Sequence, residues 1–122
     1  DKKFGFWNLP EQKRRHYIER LYKALVELQI RFHDDWVNDR FNKNNVMIVR
    51  FDKMMQDFEG LMNEIIVFTD HKASDILKED IIKIAEKQRN YVSKHKYDLA
   101  KFGLSEDRIK KDCEKIYKTF LS

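Results

Sequence analysis

One run, Asn45-Val46-Met47-Ile48-Val49-Arg50-Phe51, constrains the fold more than any other part of the chain, because it alone reads as a β-strand in an otherwise helical sequence. Consecutive β-branched and apolar residues mark a strand buried on both faces, which belongs inside a parallel sheet covered by helices. A single strand has no ladder to join. The expectation is that its neighbours come from another chain, or that these 122 residues are the C-terminal piece of a larger α/β protein.

Around that run the apolar spacing predicts helices. Asn8-Leu9-Pro10-Glu11 reads as a helix start, with Asn8 as cap, Glu11 three residues on, and Pro10 in the first turn where no amide is needed. Ile18, Leu21, Leu25, Leu28, Phe32 and Trp36 then recur at three- and four-residue steps, giving a helix over 9–42 with this stripe inward. A polar turn leads into the strand over 45–51. Asp57 reads as the cap of a helix over 57–68 that buries Leu61, Ile65 and Phe68, with Met62 and Ile66 beside them. Ser74 opens a helix over 75–92 marked by Leu77, Ile81, Ile84, Ala85, Gln88 and Val92. Residues 94–101 read as a charged loop, and Gly103 as a stop. Ser105 then caps a helix over 105–120 lined by Ile109, Cys113, Ile116 and Phe120. The expected fold class is mostly α with one buried β-strand, a single helical unit over 1–122 that forms the C-terminal segment of a larger α/β domain.

Composition excludes some partners without naming one. At 42% hydrophobic and 13% aromatic, with one Pro, the chain carries enough apolar mass for a packed core. Its 25 basic and 21 acidic residues leave only a small positive excess, and no Lys/Arg run alternates with stacking aromatics, so no nucleic-acid partner is expected. Cys113 stands alone, which rules out an internal disulfide or a thiolate metal cluster and reads as a small core residue. No stretch approaches the roughly 18 apolar residues of a membrane span, and nothing resembles a signal peptide, so a cytoplasmic location is expected.

Motifs of self-contained chemistry are missing: no glycine-rich phosphate loop, no paired-histidine zinc spacing, no glycine-flanked serine. His33 beside Asp34 and Asp35 invites a metal, yet adjacent helical residues point about 100° apart, so no metal site is expected. Met54, Met55 and Met62 read as gap-filling core.

Two stretches carry a resemblance. The segment from Val46 through Arg50-Phe51-Asp52-Lys53-Met54-Met55-Gln56-Asp57-Phe58, followed by Leu61, Ile65 and Phe68, is similar to the strand and helix of sulfotransferases, where an apolar strand precedes an aromatic, Glu-Asp-Leu, Asp-Pro and a helix. Here Asp52 and Lys53 replace the Glu-Asp pair, Phe58 replaces the proline, and Thr69-Asp70 follows Phe68. The second segment, Ser93-Lys94-His95-Lys96-Tyr97-Asp98-Leu99-Ala100-Lys101-Phe102-Gly103-Leu104, resembles the C-terminal signature Ser-x-His-x-Tyr-x-Leu-x-x-Phe/Tyr-Gly-Leu of bacterial-type sulfotransferases. Tyr117 follows at the family's distance, and Trp36 precedes the strand as a Trp often does there.

The resemblance implies a P-loop-like α/β fold and transfer of a sulfuryl group from 3'-phosphoadenosine 5'-phosphosulfate to a hydroxyl or amine. The loops that hold the cofactor's phosphates in that family do not occur in this sequence, so the chain by itself is expected to be inactive and to carry no catalytic residue. Ser93, Lys94, His95, Lys96 and Tyr97 are the candidate cofactor-binding residues, since two lysines, a histidine and two hydroxyls can donate to a phosphate. The plainer reading is that Tyr97 and Leu99 pin the loop to the core. Expected partners are the remainder of the same protein or another chain supplying sheet strands, with self-association through the apolar strand also open. The competing function is a non-enzymatic helical interaction module whose strand pairs with a partner sheet.

Overall fold

The computed structural model describes residues 5–94 and 96–122. Among them there are helices and turns and no β-strand, so the α/β parallel-sheet expectation is overturned and the fold is mostly α. The segment expected as a buried strand over 45–51 begins at the end of a 3-10 turn, Lys43–Asn45, and closes on the first residue of a helix, Phe51. Between them the backbone is extended at Val46 (φ −130°, ψ 122°) and at Arg50 (φ −89°, ψ 136°), but Ile48 and Val49 are exposed. The physical reason is local. Arg50 pairs with Asp52, whose Oδ1 also accepts the Lys53 amide at 2.9 Å, and this starts a helix where a ladder would have had to continue. An unbroken apolar run does not by itself distinguish a strand from other extended backbone.

The helices are α1 (Glu11–Val37), α2 (Phe51–Gln56), α3 (Phe58–Phe68), α4 (Asp75–Arg89), α5 (Glu106–Asp112) and α6 (Glu114–Ile116), the last running into a π turn at Tyr117–Leu121. They belong to two compact units, Asp1–Phe41 with Lys96–Ser122, and Asn42–His95.

In the first unit, α1 packs against α6. Its N-cap is Pro10 rather than Asn8, which lies in a 3-10 turn over Phe6–Asn8, and the Pro10 carbonyl accepts the Lys13 and Arg14 amides. The inward row of α1 is Ile18, Tyr22, Val26, Ile30 and His33, about one residue out of phase with the expected stripe. Leu21, Leu25 and Leu28 of that stripe are 62%, 52% and 60% exposed. The helix therefore carries two apolar rows, and among the described residues only one is covered. It ends where Asp39 turns left-handed (φ 52°) and the Arg40 amide reaches back to the Asp35 carbonyl.

The second unit packs α3 on α4 with α2 against both. Leu61, Ile81 and Ala85 form its buried centre, while Ile84 and Val92 of the expected helix face are exposed and α4 stops at Arg89. Side chains start the helices: Asp57 Oδ1 accepts the Gly60 amide at 3.0 Å, and Ser74 Oγ accepts the Leu77 amide at 3.2 Å. The Gln88 amide donates to the Met54 carbonyl at 3.0 Å and ties α4 to α2. After α3, Asp70 is left-handed (φ 51°) and His71 N–H bonds the Ile66 carbonyl, the same ending as α1.

Candidate functional site

The Asp98–Ser105 stretch is shaped by a chain of short-range bonds. Asp98 Oδ1 accepts the Lys101 amide, and Ala100–Phe102 form a 3-10 turn. Gly103 follows at φ 66°, a left-handed conformation that other residues adopt only at a cost of about 1–2 kcal/mol. The Leu104 amide then closes on the Leu99 carbonyl at 3.0 Å. Ser105 Oγ accepts the Arg108 amide at 3.2 Å and launches α5. Phe102 meets the Trp7 ring at a centroid distance of 5.6 Å, and Lys101 Nζ lies 4.2 Å from the centroid of that indole.

Arg108, one turn into α5, makes a fork of hydrogen bonds to Glu19 at 2.9 and 2.6 Å and lies over the Tyr22 ring. The guanidinium holds the Glu19 carboxyl below its ordinary value. The Tyr22 hydroxyl donates to Asp112 at 2.8 Å, and burial, followed by that carboxylate, pushes its phenol up to about 12. Farther along α1, His33 is buried with its Nδ1 2.9 Å from Asp34 Oδ1 and its Nε2 2.9 Å from the Thr119 hydroxyl. A carboxylate can only accept, so Nδ1 carries the proton. Both ring nitrogens are used, and Asp35 pairs with Arg40 instead, so these three residues do not converge on an ion. Phe120 lies edge-on to the His33 ring and joins Phe32, Trp36 and Phe41 in an aromatic cluster. Cys113 is half-buried, and burial raises its thiol pKa, which suits a packed residue and not a nucleophile.

Compared with family models, curated proteins and solved structures, the chain matches none.

The residues proposed from sequence for cofactor binding fall at the junction of the two units in the chain. Ser93 and Lys94 are exposed in the Asn42–His95 unit, and Lys96 and Tyr97 are exposed in the other. His95 lies outside the described residues. Tyr97 is 90% exposed, so it does not serve as the pin that the plainer reading assigned to it. Among the described residues neither Lys94 nor Lys96 has a carboxylate partner. Sequence reasoning missed the grouping of Trp7, Arg14, Lys101 and Phe102 around one cleft. Trp7 and Phe102 lie some 95 residues apart in sequence, so no local pattern joins them.

Proposed function

We propose that this chain is the C-terminal part of a sulfotransferase that moves a sulfuryl group from 3'-phosphoadenosine 5'-phosphosulfate to a hydroxyl or amine acceptor, with the main cofactor loops outside these 122 residues. The observation that carries the reading is the turn from Leu99 to Leu104, where Phe102 and Gly103 of the sulfotransferase-like signature stand at positions that suit their type. Gly103 occupies a left-handed position, Phe102 packs on Trp7, and Ser105 caps the helix that follows. Just before it, Lys94 and Lys96 present exposed ammonium groups suited to a phosphate. In this reading Ser93 to Tyr97 contribute cofactor contacts, and transfer proceeds by positioning and charge stabilisation, by analogy with phosphoryl transfer.

Calorimetric titration of 3'-phosphoadenosine 5'-phosphate tests this. Binding to the complete protein is expected to weaken roughly ten- to a hundredfold in Lys96→Ala, because a charged hydrogen bond is lost. Absence of binding to the complete protein refutes the reading, and tight binding by the 122-residue chain alone refutes the placement of the main phosphate loop elsewhere. A second reading, a non-enzymatic helical interaction module, draws on the uncovered row Leu21, Leu25 and Leu28 of α1.

A further inference from the structure

A cleft of about 590 Å³ lies within the unit formed by Asp1–Phe41 and Lys96–Ser122. One wall is the first two turns of α1, with Arg14, Arg15 and Ile18, and the other is Trp7 with the Ala100–Gly103 turn. Its volume falls inside the range of roughly 300–1,000 Å³ typical of small-molecule sites.

The charges around it do not cancel evenly. Glu11 is paired with Arg15, and Glu19 is held by Arg108 and Lys23, so both carboxylates of the lining are already answered. Arg14 donates instead to the carbonyl oxygens of Trp7 and Leu9, and Lys101 rests on the Trp7 indole. Among the described residues these two cations have no carboxylate partner. Beside them the Trp7 and Phe102 rings, tilted 56° to each other, supply flat apolar surface.

We propose that this cleft binds a small aromatic anion, a phosphate or carboxylate carried on a flat ring, with the anionic group between Arg14 and Lys101 and the ring against Trp7 and Phe102. Trp7 and Phe102 are 37% and 41% exposed, so the ring of such a ligand would cover surface that solvent reaches, while its anionic group would supply a counter-charge to Arg14 and Lys101. A ring-free anion satisfies the cations and leaves the aromatic surface wet, whereas a neutral aromatic covers the rings and leaves two positive charges uncompensated. Arg14 is suited to its part because two carbonyl oxygens already fix its guanidinium, so little side-chain freedom is lost on binding. The cleft shares Phe102 and Gly103 with the sulfotransferase-like signature, but the inference does not depend on that reading, since none of Ser93, Lys94, Lys96 and Tyr97 lines it.

Amide-detected NMR titration of the 122-residue chain with phenyl phosphate, inorganic phosphate and benzyl alcohol tests the proposal. Phenyl phosphate is expected to shift the Trp7 indole N–H and the Gly103 amide along one saturable curve, with each of the other two compounds at least about tenfold weaker. Lys101→Gln and Arg14→Gln should each weaken phenyl phosphate by about tenfold or more, the loss expected of one charged hydrogen bond. Lys101 is exposed, so its replacement does not threaten folding, and Trp7→Leu should reduce phenyl phosphate to the affinity of inorganic phosphate. The proposal is overturned if phenyl phosphate binds no tighter than inorganic phosphate, if Lys101→Gln leaves the affinity unchanged, or if the shifts map away from the cleft.

Discussion

Ile81 and Ile84 are neighbours on α4 with the same side chain and opposite surroundings, and replacing each with alanine should separate burial from composition. Ile81 is 4% exposed on the helix α4 that packs on α3, whereas Ile84 is 49% exposed. Truncating a fully buried isoleucine removes its transfer free energy and leaves a cavity, together about 2–5 kcal/mol. At Ile84 roughly half of the transfer term is already forfeited to water and no closed cavity is left, so the cost should be about 1 kcal/mol. Urea unfolding followed by circular dichroism gives both values as shifts in midpoint at constant slope. Amide exchange across α4 then assigns the loss to the Asn42–His95 unit. Equal costs at the two positions would refute the reasoning, because Ile84 would then have to be covered in solution. Repeating the pair at tenfold lower protein concentration shows whether a second copy does the covering.

Other consequences follow from single residues. Gly103→Ala should destabilise by about 1–2 kcal/mol through backbone strain alone, since an added Cβ meets nothing within 4 Å, and a crystal structure of the variant should show no displaced neighbour. The converse holds at Asp70, whose positive φ makes Asp70→Gly a stabilising change of about 0.5–1 kcal/mol in chemical denaturation. The raised Tyr22 pKa favours the protonated phenol in the folded state, so its contribution is complete below the unfolded value near 10 and disappears as pH rises towards about 12. Stability measured from pH 9 to 12 should accordingly fall more steeply in the parent chain than in Tyr22→Phe; parallel curves would refute the linkage.

What could be read from sequence divides along the range of the interactions involved. Asp57, Ser74 and Ser105 are recognisable as helix caps because each is settled by an amide three residues away. The phase of α1 was not recognisable in this way. Ile18, Tyr22, Val26, Ile30 and His33 compete with Leu21, Leu25 and Leu28 for the inward position, and the winner is decided by α6, some 80 residues on. The strand failed for a related reason: an apolar run fixes neither a ladder nor its partner, and the Arg50–Asp52 pair that opens α2 acts on that segment directly. Of the site residues, Gly103 was legible as a backbone requirement. The cleft was not, because Trp7 and Phe102 come together only through tertiary packing.

The π turn at Tyr117–Leu121 gives the chain's last helix a phase that an uninterrupted α-helix would not have. Each turn closed by i→i+5 bonds holds an extra residue, so every side chain beyond it is rotated relative to those before. Thr119 and Phe120 lie within that turn, and from there Thr119 meets His33 while Phe120 meets Phe32 and Trp36. Counting residues between Cys113 and Thr119 is therefore part of the fold's specification. A one-residue deletion there would lengthen no loop and bury no charge, yet it would turn both contacts away together, whereas most substitutions at Lys118, which faces solvent, would leave the rotation untouched.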